Sequence, residues 1–123
     1  MADLVTMAPP SSLEAEEAIL GCLMLDGGCV PLVAGLVSPG DFYGAAQGTI
    51  YREILRLAEA GRPVDLVTLA AALGPHLADV GGQGYLVDLL GAIPTTAHAE
   101  HYARLVREKA GLRRLAAAGD RIM

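Results

Sequence analysis

His98 and His101 lie three residues apart, a spacing that would put both imidazoles on one helical face, close enough to share a metal ion. Such a site needs three or four converging ligands, and no cysteine or carboxylate stands at a familiar spacing from the pair, which disfavours metal binding. Cys22 and Cys29 are seven apart and read as small core or turn residues. Two cysteines make no disulfide framework and fit a reducing compartment best. Gly81, Gly82 and Gly84 are spaced loosely like a nucleotide loop, but no strand pattern precedes them, so a turn that opens a helix is the better reading. A Walker-type phosphate loop requires Gly-Lys-Ser/Thr, because the lysine must reach the β- and γ-phosphates. The single lysine, Lys109, follows Glu108 within a helical pattern, so this chain is no P-loop ATPase by itself. Glu14 and Glu17 fall at a helix start, where they complement the dipole rather than form an acid–base pair. Nothing around Ser11, Ser12 or Ser38 resembles a nucleophile elbow, and the first two are explained as caps. No catalytic, cofactor-binding or metal-ligating residue is assigned.

The elements that would carry these residues read as helix after helix, punctuated by Gly and Pro. The 123 residues suit one domain, and 53% hydrophobic content with a mean hydropathy of +0.42 excludes a disordered tail. Residues 1–10 contain Pro9 and Pro10 and read as a flexible lead-in without the basic and apolar regions of a secretory signal. Ser11 with Glu14 predicts a capping box for the first helix, which is apolar nearly all round through Met24 and therefore central. A short second helix takes Pro31 in its first turn, and Ile50, Tyr51, Ile54, Leu57 and Ala58 form the stripe of a third. Gly61 reads as a left-handed cap, Asp65 as the N-cap of a fourth helix ended by Gly74 and Pro75. Tyr85, Leu86 and Leu89 mark a fifth. Pro94 and the Thr95/Thr96 cap introduce a last helix from about residue 96 to the end, with Tyr102, Leu105, Val106, Leu112 and Leu115 as its apolar stripe. No stretch alternates as a strand would. The expected fold is all-α: a six-helix bundle, with a head over 11–95 and a long C-terminal helix over 96–123.

Charge is uneven. The chain carries −5 overall, but six cations against three acids from residue 100 onward give that stretch +3 and leave −8 for the first 99 residues. An acidic body repels phosphates, so only the last helix offers nucleic-acid contacts, and an alternating solvated face is the blander account of its charges. No uncharged segment reaches membrane-spanning length, and the expected location is the cytoplasm.

Several strings are familiar together. Pro9-Pro10-Ser11-Ser12-Leu13-Glu14-Ala15-Glu16, then Leu20-Gly21-Cys22-Leu23-Met24-Leu25-Asp26, resemble the opening of the N-terminal domain of the replicative DNA helicase of the DnaB family. The likeness continues through Asp41-Phe42-Tyr43, Ile50-Tyr51 and the connector Gly61-Arg62-Pro63-Val64-Asp65-Leu66-Val67-Thr68-Leu69. It extends to Val80-Gly81-Gly82 with Tyr85-Leu86, to Pro94-Thr95-Thr96-Ala97 and to Tyr102 through Ala110, covering about residues 9–122. Gln47 departs from the family's usual histidine, His98 from an asparagine, and the Leu73–Val80 connection is about two residues short.

The resemblance implies a collar domain without catalysis, built from pairs within a hexameric ring on which primase docks, and on which a helicase loader is a further candidate partner. ATP, magnesium and most DNA contact would belong to a motor domain, and the last helix would be the first arm of a hairpin. The chain stops at Met123, before a second arm, and so reads as a piece of a larger helicase. A stand-alone adaptor, or a protein like the helicase-binding domain of primase, is the alternative; a small helical enzyme is disfavoured for want of a nucleophile, metal set or phosphate loop. The residues assigned to protein interfaces are Tyr85, Leu112, Arg113, Leu115 and Ile122, since aromatic, arginine and aliphatic groups are common anchors. Tyr85 reads equally well as a core residue with a satisfied hydroxyl, and Leu112 and Leu115 as the end of the bundle core.

Overall fold

Ser12 opens the first helix: its hydroxyl accepts from the Ala15 N–H at 3.2 Å, and α1 runs Leu13–Leu25. The cap is thus Ser12 rather than Ser11, and the Ser11–Glu14 box does not form, because Ala15 occupies the third helical position and cannot reach back. The structure, a computed structural model, describes residues 11–93 and 95–122, with side chains as far as residue 119. The lead-in expected over residues 1–10, Pro94 and the Ile122 side chain lie outside the described residues.

After Asp26 a single 3₁₀ turn leads into α2 (Val30–Ala34), with Pro31 in its first turn. Ser38-Pro39-Gly40-Asp41 forms another 3₁₀ turn ahead of α3 (Ala45–Glu59). Helix α4 (Leu66–Leu73) starts at Asp65, whose carboxylate accepts from the Thr68 N–H at 2.9 Å while the Thr68 hydroxyl accepts from the Asp65 N–H at 3.0 Å. Two further 3₁₀ turns precede α5 (Gly82–Gly91), and α6 spans Ala99–Ile122. The described residues are thus all-helical, as expected, with no strand among them.

Helix α1 is the hub, packing against α6, α5 and α3. Ile19, Leu20, Cys22 and Leu23 are fully buried, as are Ile50, Tyr51 and Ile54 from α3, Leu69 and Leu73 from α4, and Leu86 from α5. Gly21 lets α5 come close: a methyl there would sit 2.6 Å from the Leu89 carbonyl oxygen and closer still to the Ile93 side chain.

Helix α6 begins three residues later than the Thr95/Thr96 reading, and its buried stripe is different. Ala99, Ala103, Val106 and Ala110 face the head, spaced four, three and four residues apart. Tyr102 and Leu105 flank that stripe half-buried, whereas Leu112 and Leu115 lie outside the core, 43% and 70% exposed. Small side chains set the contact because they let two helix axes approach closely. The largest residues therefore do not mark the buried face. At about 1.5 Å per residue, the 24-residue helix is about 36 Å long, and buried side chains hold only its first half.

Candidate functional site

The polar side chains gather around the first two turns of α1 and the start of α3. Glu16 is 1% exposed, and its carboxylate accepts two backbone N–H bonds, from Tyr43 at 2.7 Å and Gly44 at 3.0 Å. Gly44 is the N-cap of α3 and offers no side-chain oxygen, so a residue from another helix supplies the anionic cap that the dipole favours.

The same 38–44 turn is held from its other side by α6. Asp41 is buried; one carboxylate oxygen accepts from the Ser38 N–H at 2.9 Å, and the other accepts from the Arg114 guanidinium. Arg113 donates to the Asp41 carbonyl at 2.6 Å, and its guanidinium lies 5.4 Å from the centre of the Tyr43 ring, a cation–π distance. Burial alone would raise the Asp41 pKa, but the Ser38 N–H and Arg114 outweigh it and hold the carboxyl below its ordinary value. Phe42 stacks on Tyr51 with ring centres 4.7 Å apart, and the Tyr51 hydroxyl donates to the Val37 carbonyl at 2.8 Å. Burial, and then the charge of Asp41, push the Tyr51 phenol far above its usual range.

On the other flank of α1, Tyr85 donates its hydroxyl proton to Glu17 and accepts from Gln47 Nε2 at 2.6 Å. Burial and the Glu17 bond push the phenol up to about 12. The chain Gln47–Tyr85–Glu17 joins α3, α5 and α1. Gln47 therefore has a structural task.

Beside Glu17 a groove of 470 Å³ runs between α1, the end of α5 and α6, lined among others by Glu14, Ile93, His101, Tyr102 and Leu105. His98 and His101 both stand edge-on to Tyr102, with ring centres 6.4 and 6.0 Å away. No group of three or more His, Cys, Asp or Glu side chains gathers among the described residues. Both cysteines are free thiols raised by burial first; the charge of Cys29 adds to the rise at Cys22, and the nearby Asp26 adds to it at Cys29. Gly81 and Gly82 take positive φ values of 115° and 76° at the turn into α5, preceded by a 3₁₀ turn rather than a strand.

Of the residues singled out in the sequence, Tyr85 and Arg113 are each already engaged within the fold, Tyr85 with Glu17 and Gln47 and Arg113 with Asp41 and Tyr43. Leu112 and Leu115 share one side of α6 beyond its buried stripe, with their side chains open to solvent. The sequence reading missed Glu16, Glu17, Gln47, Asp41 and Arg114. A glutamate at a helix start gave no sign of partners 27 and 28 residues away.

Every buried side-chain nitrogen and oxygen among the described residues has a partner, so these polar groups hold helices in register. The architecture is that of a small helical head domain with a projecting terminal helix. The chain belongs to the DnaB-like helicase N-terminal domain family, whose description matches residues 8–108. It is 47% identical over 109 residues to the replicative DNA helicase DnaB of Geobacillus stearothermophilus, covering 87% of this chain and 24% of that protein. It is 42% identical over 118 residues to the replicative DNA helicase DnaC of Bacillus subtilis, covering 94% of this chain and 26% of that protein. The chain therefore spans about a quarter of the length of the curated relatives it matches.

Among solved structures, the N-terminal domain of DnaB helicase from Mycobacterium tuberculosis matches with a TM-score of 0.90 at 43% identity, covering 94% of this chain and 85% of that one. A DnaB-like replicative helicase described together with its interactions with primase matches at 0.82 and 25% identity, over 90% of this chain and 27% of that one. The N-terminal domain from Helicobacter pylori, at 0.76 and 22% identity over 88% of this chain and 85% of that one, shares the fold.

Proposed function

We propose that this domain is the collar head of a bacterial replicative helicase: it pairs with its like through the distal half of α6 and receives primase during DNA replication. The observation that carries the reading is the exposed Leu112–Leu115 side of a helix that continues past its own core, in a chain of this family. An isolated large apolar residue on a surface is ordinary, but two on one side of a projecting helix offer a seam for another helix. The residues offered to partners are, in this reading, Tyr85, Leu112, Arg113, Leu115 and Ile122. The hydroxyl of Tyr85 and the guanidinium of Arg113 are already bonded within the head, so the ring of the first and the stem of the second are what remain for contact.

The similarity to a helicase described with primase supports primase as the visitor. ATP, magnesium and most DNA contact belong, in this proposal, to the motor portion of the whole helicase, and a loader is a second candidate visitor. The work is done in the cytoplasm; no single described helix is long and apolar enough to cross a membrane.

Sedimentation equilibrium tests the pairing. The protein self-associates as its concentration rises, and Leu115→Asp, which introduces charge at a 70% exposed position, shifts it toward monomer. Identical association of the variant and the parent places the seam elsewhere.

A further inference from the structure

We propose that α6 is a hinged lever, divided at Gly111 and latched to the head by Arg113 and Arg114. Up to Ala110 the helix is held by buried side chains, the last of them Ala110 itself. From Gly111 to Gly119 only Arg113 is even half-buried. Polar contacts hold this distal half to the head: Arg113 on the Asp41 carbonyl and the Tyr43 ring, and Arg114 on the Asp41 carboxylate. Glycine is the weakest ordinary helix former, and here it stands in the first position after the buried stripe. No packing requires it, since a methyl at Gly111 would meet nothing within 4 Å. The break in packing, the weak helix former and the start of the polar contacts thus fall within four residues.

The latch closes on a rigid catch. The Ser38 N–H fixes the Asp41 side chain, and buried Glu16 fixes the turn just after it. Anything that binds Tyr43 or competes for Asp41 therefore frees the distal half, and with it the direction in which Leu112 and Leu115 point. Arg114 is 63% exposed in its side chain, so salt reaches the latch while the apolar stripe is untouched. This inference rests on contacts within one head and does not depend on the proposed role in a ring.

Hydrogen exchange on the purified protein tests it. In the doubly substituted Arg113→Gln/Arg114→Gln protein, the amides of residues 111–118 exchange about tenfold faster while those of 103–110 keep their rate, as expected for local opening. Adding Gly111→Ala slows the distal amides again by about fivefold, the helix-propensity difference between glycine and alanine. The unaltered protein moved from low to 1 M salt shows the same selective acceleration, a readout that needs no variant to fold. Unchanged distal exchange, or an equal rise along all of α6, overturns the proposal.

Discussion

Replacing Glu16 by alanine withdraws both acceptors from the Tyr43 and Gly44 N–H groups at the start of α3. Each bond joins a carboxylate to a backbone amide, a class that contributes about 1.5–3 kcal/mol, and each amide left without its partner in this part-buried site has its own desolvation cost. Against this, the variant no longer confines a carboxylate that is 1% exposed, which returns part of the loss. The net expectation is a destabilisation of about 3 kcal/mol. For a domain of this size that corresponds to a fall in melting temperature of about 12 °C. Glu16→Gln keeps one oxygen acceptor but turns an amide NH2 toward a backbone donor, so it should cost about half as much. Urea and thermal unfolding followed by circular dichroism measure all three proteins. A loss below about 1 kcal/mol for the alanine variant, or equal losses for both, refutes the view that this carboxylate anchors the α3 start.

Tyr85→Phe removes the hydroxyl shared by Glu17 and Gln47 without opening a cavity, and should cost about 1–2 kcal/mol in urea unfolding. In alkaline ultraviolet titration the phenol that ionises near pH 12 disappears in that variant. Because the folded value is raised, the stabilisation is complete below the ordinary value of 10 and is lost as pH rises through about 12. Gly21→Ala forces α1 and α5 apart and should cost about 2 kcal/mol or more by thermal unfolding, although alanine is the better helix former. The depressed Asp41 pKa predicts stability that is present above the ordinary value of 3.8 and fades as pH falls below it. Asp41→Asn should flatten that acid limb in unfolding measured between pH 5 and pH 2.

Much of the fold was legible because its signals are local. Gly61 and Gly74 do take positive φ at helix ends, and Asp65 caps α4 through the Thr68 of its own connector. Periodicity placed Ile50, Tyr51, Ile54 and Leu57 on the buried side of α3, where they lie. The Ser11/Ser12 choice failed by one residue because either serine suits the cap and only the packing of α1 fixes the register. In the last helix the sequence left Leu112 and Leu115 open between an exposed seam and the end of the core, and the packing decides it: close helix contact selects Ala99, Ala103 and Ala110 and leaves both leucines exposed. The polar framework was illegible for another reason. Glu16 meets Tyr43 across 27 residues, Tyr85 meets Glu17 across 68 and Arg114 meets Asp41 across 73, and no spacing rule in one sequence reports such pairs.

A calorimetric titration of the cognate primase into this protein tests the proposed docking role most directly. The parent should give saturable heat, with affinity weakened at least tenfold by Arg113→Ala combined with Leu115→Asp in a protein that still melts cooperatively. A parent protein that is folded and yields no binding heat, or a double variant that binds as tightly as the parent, would contradict it.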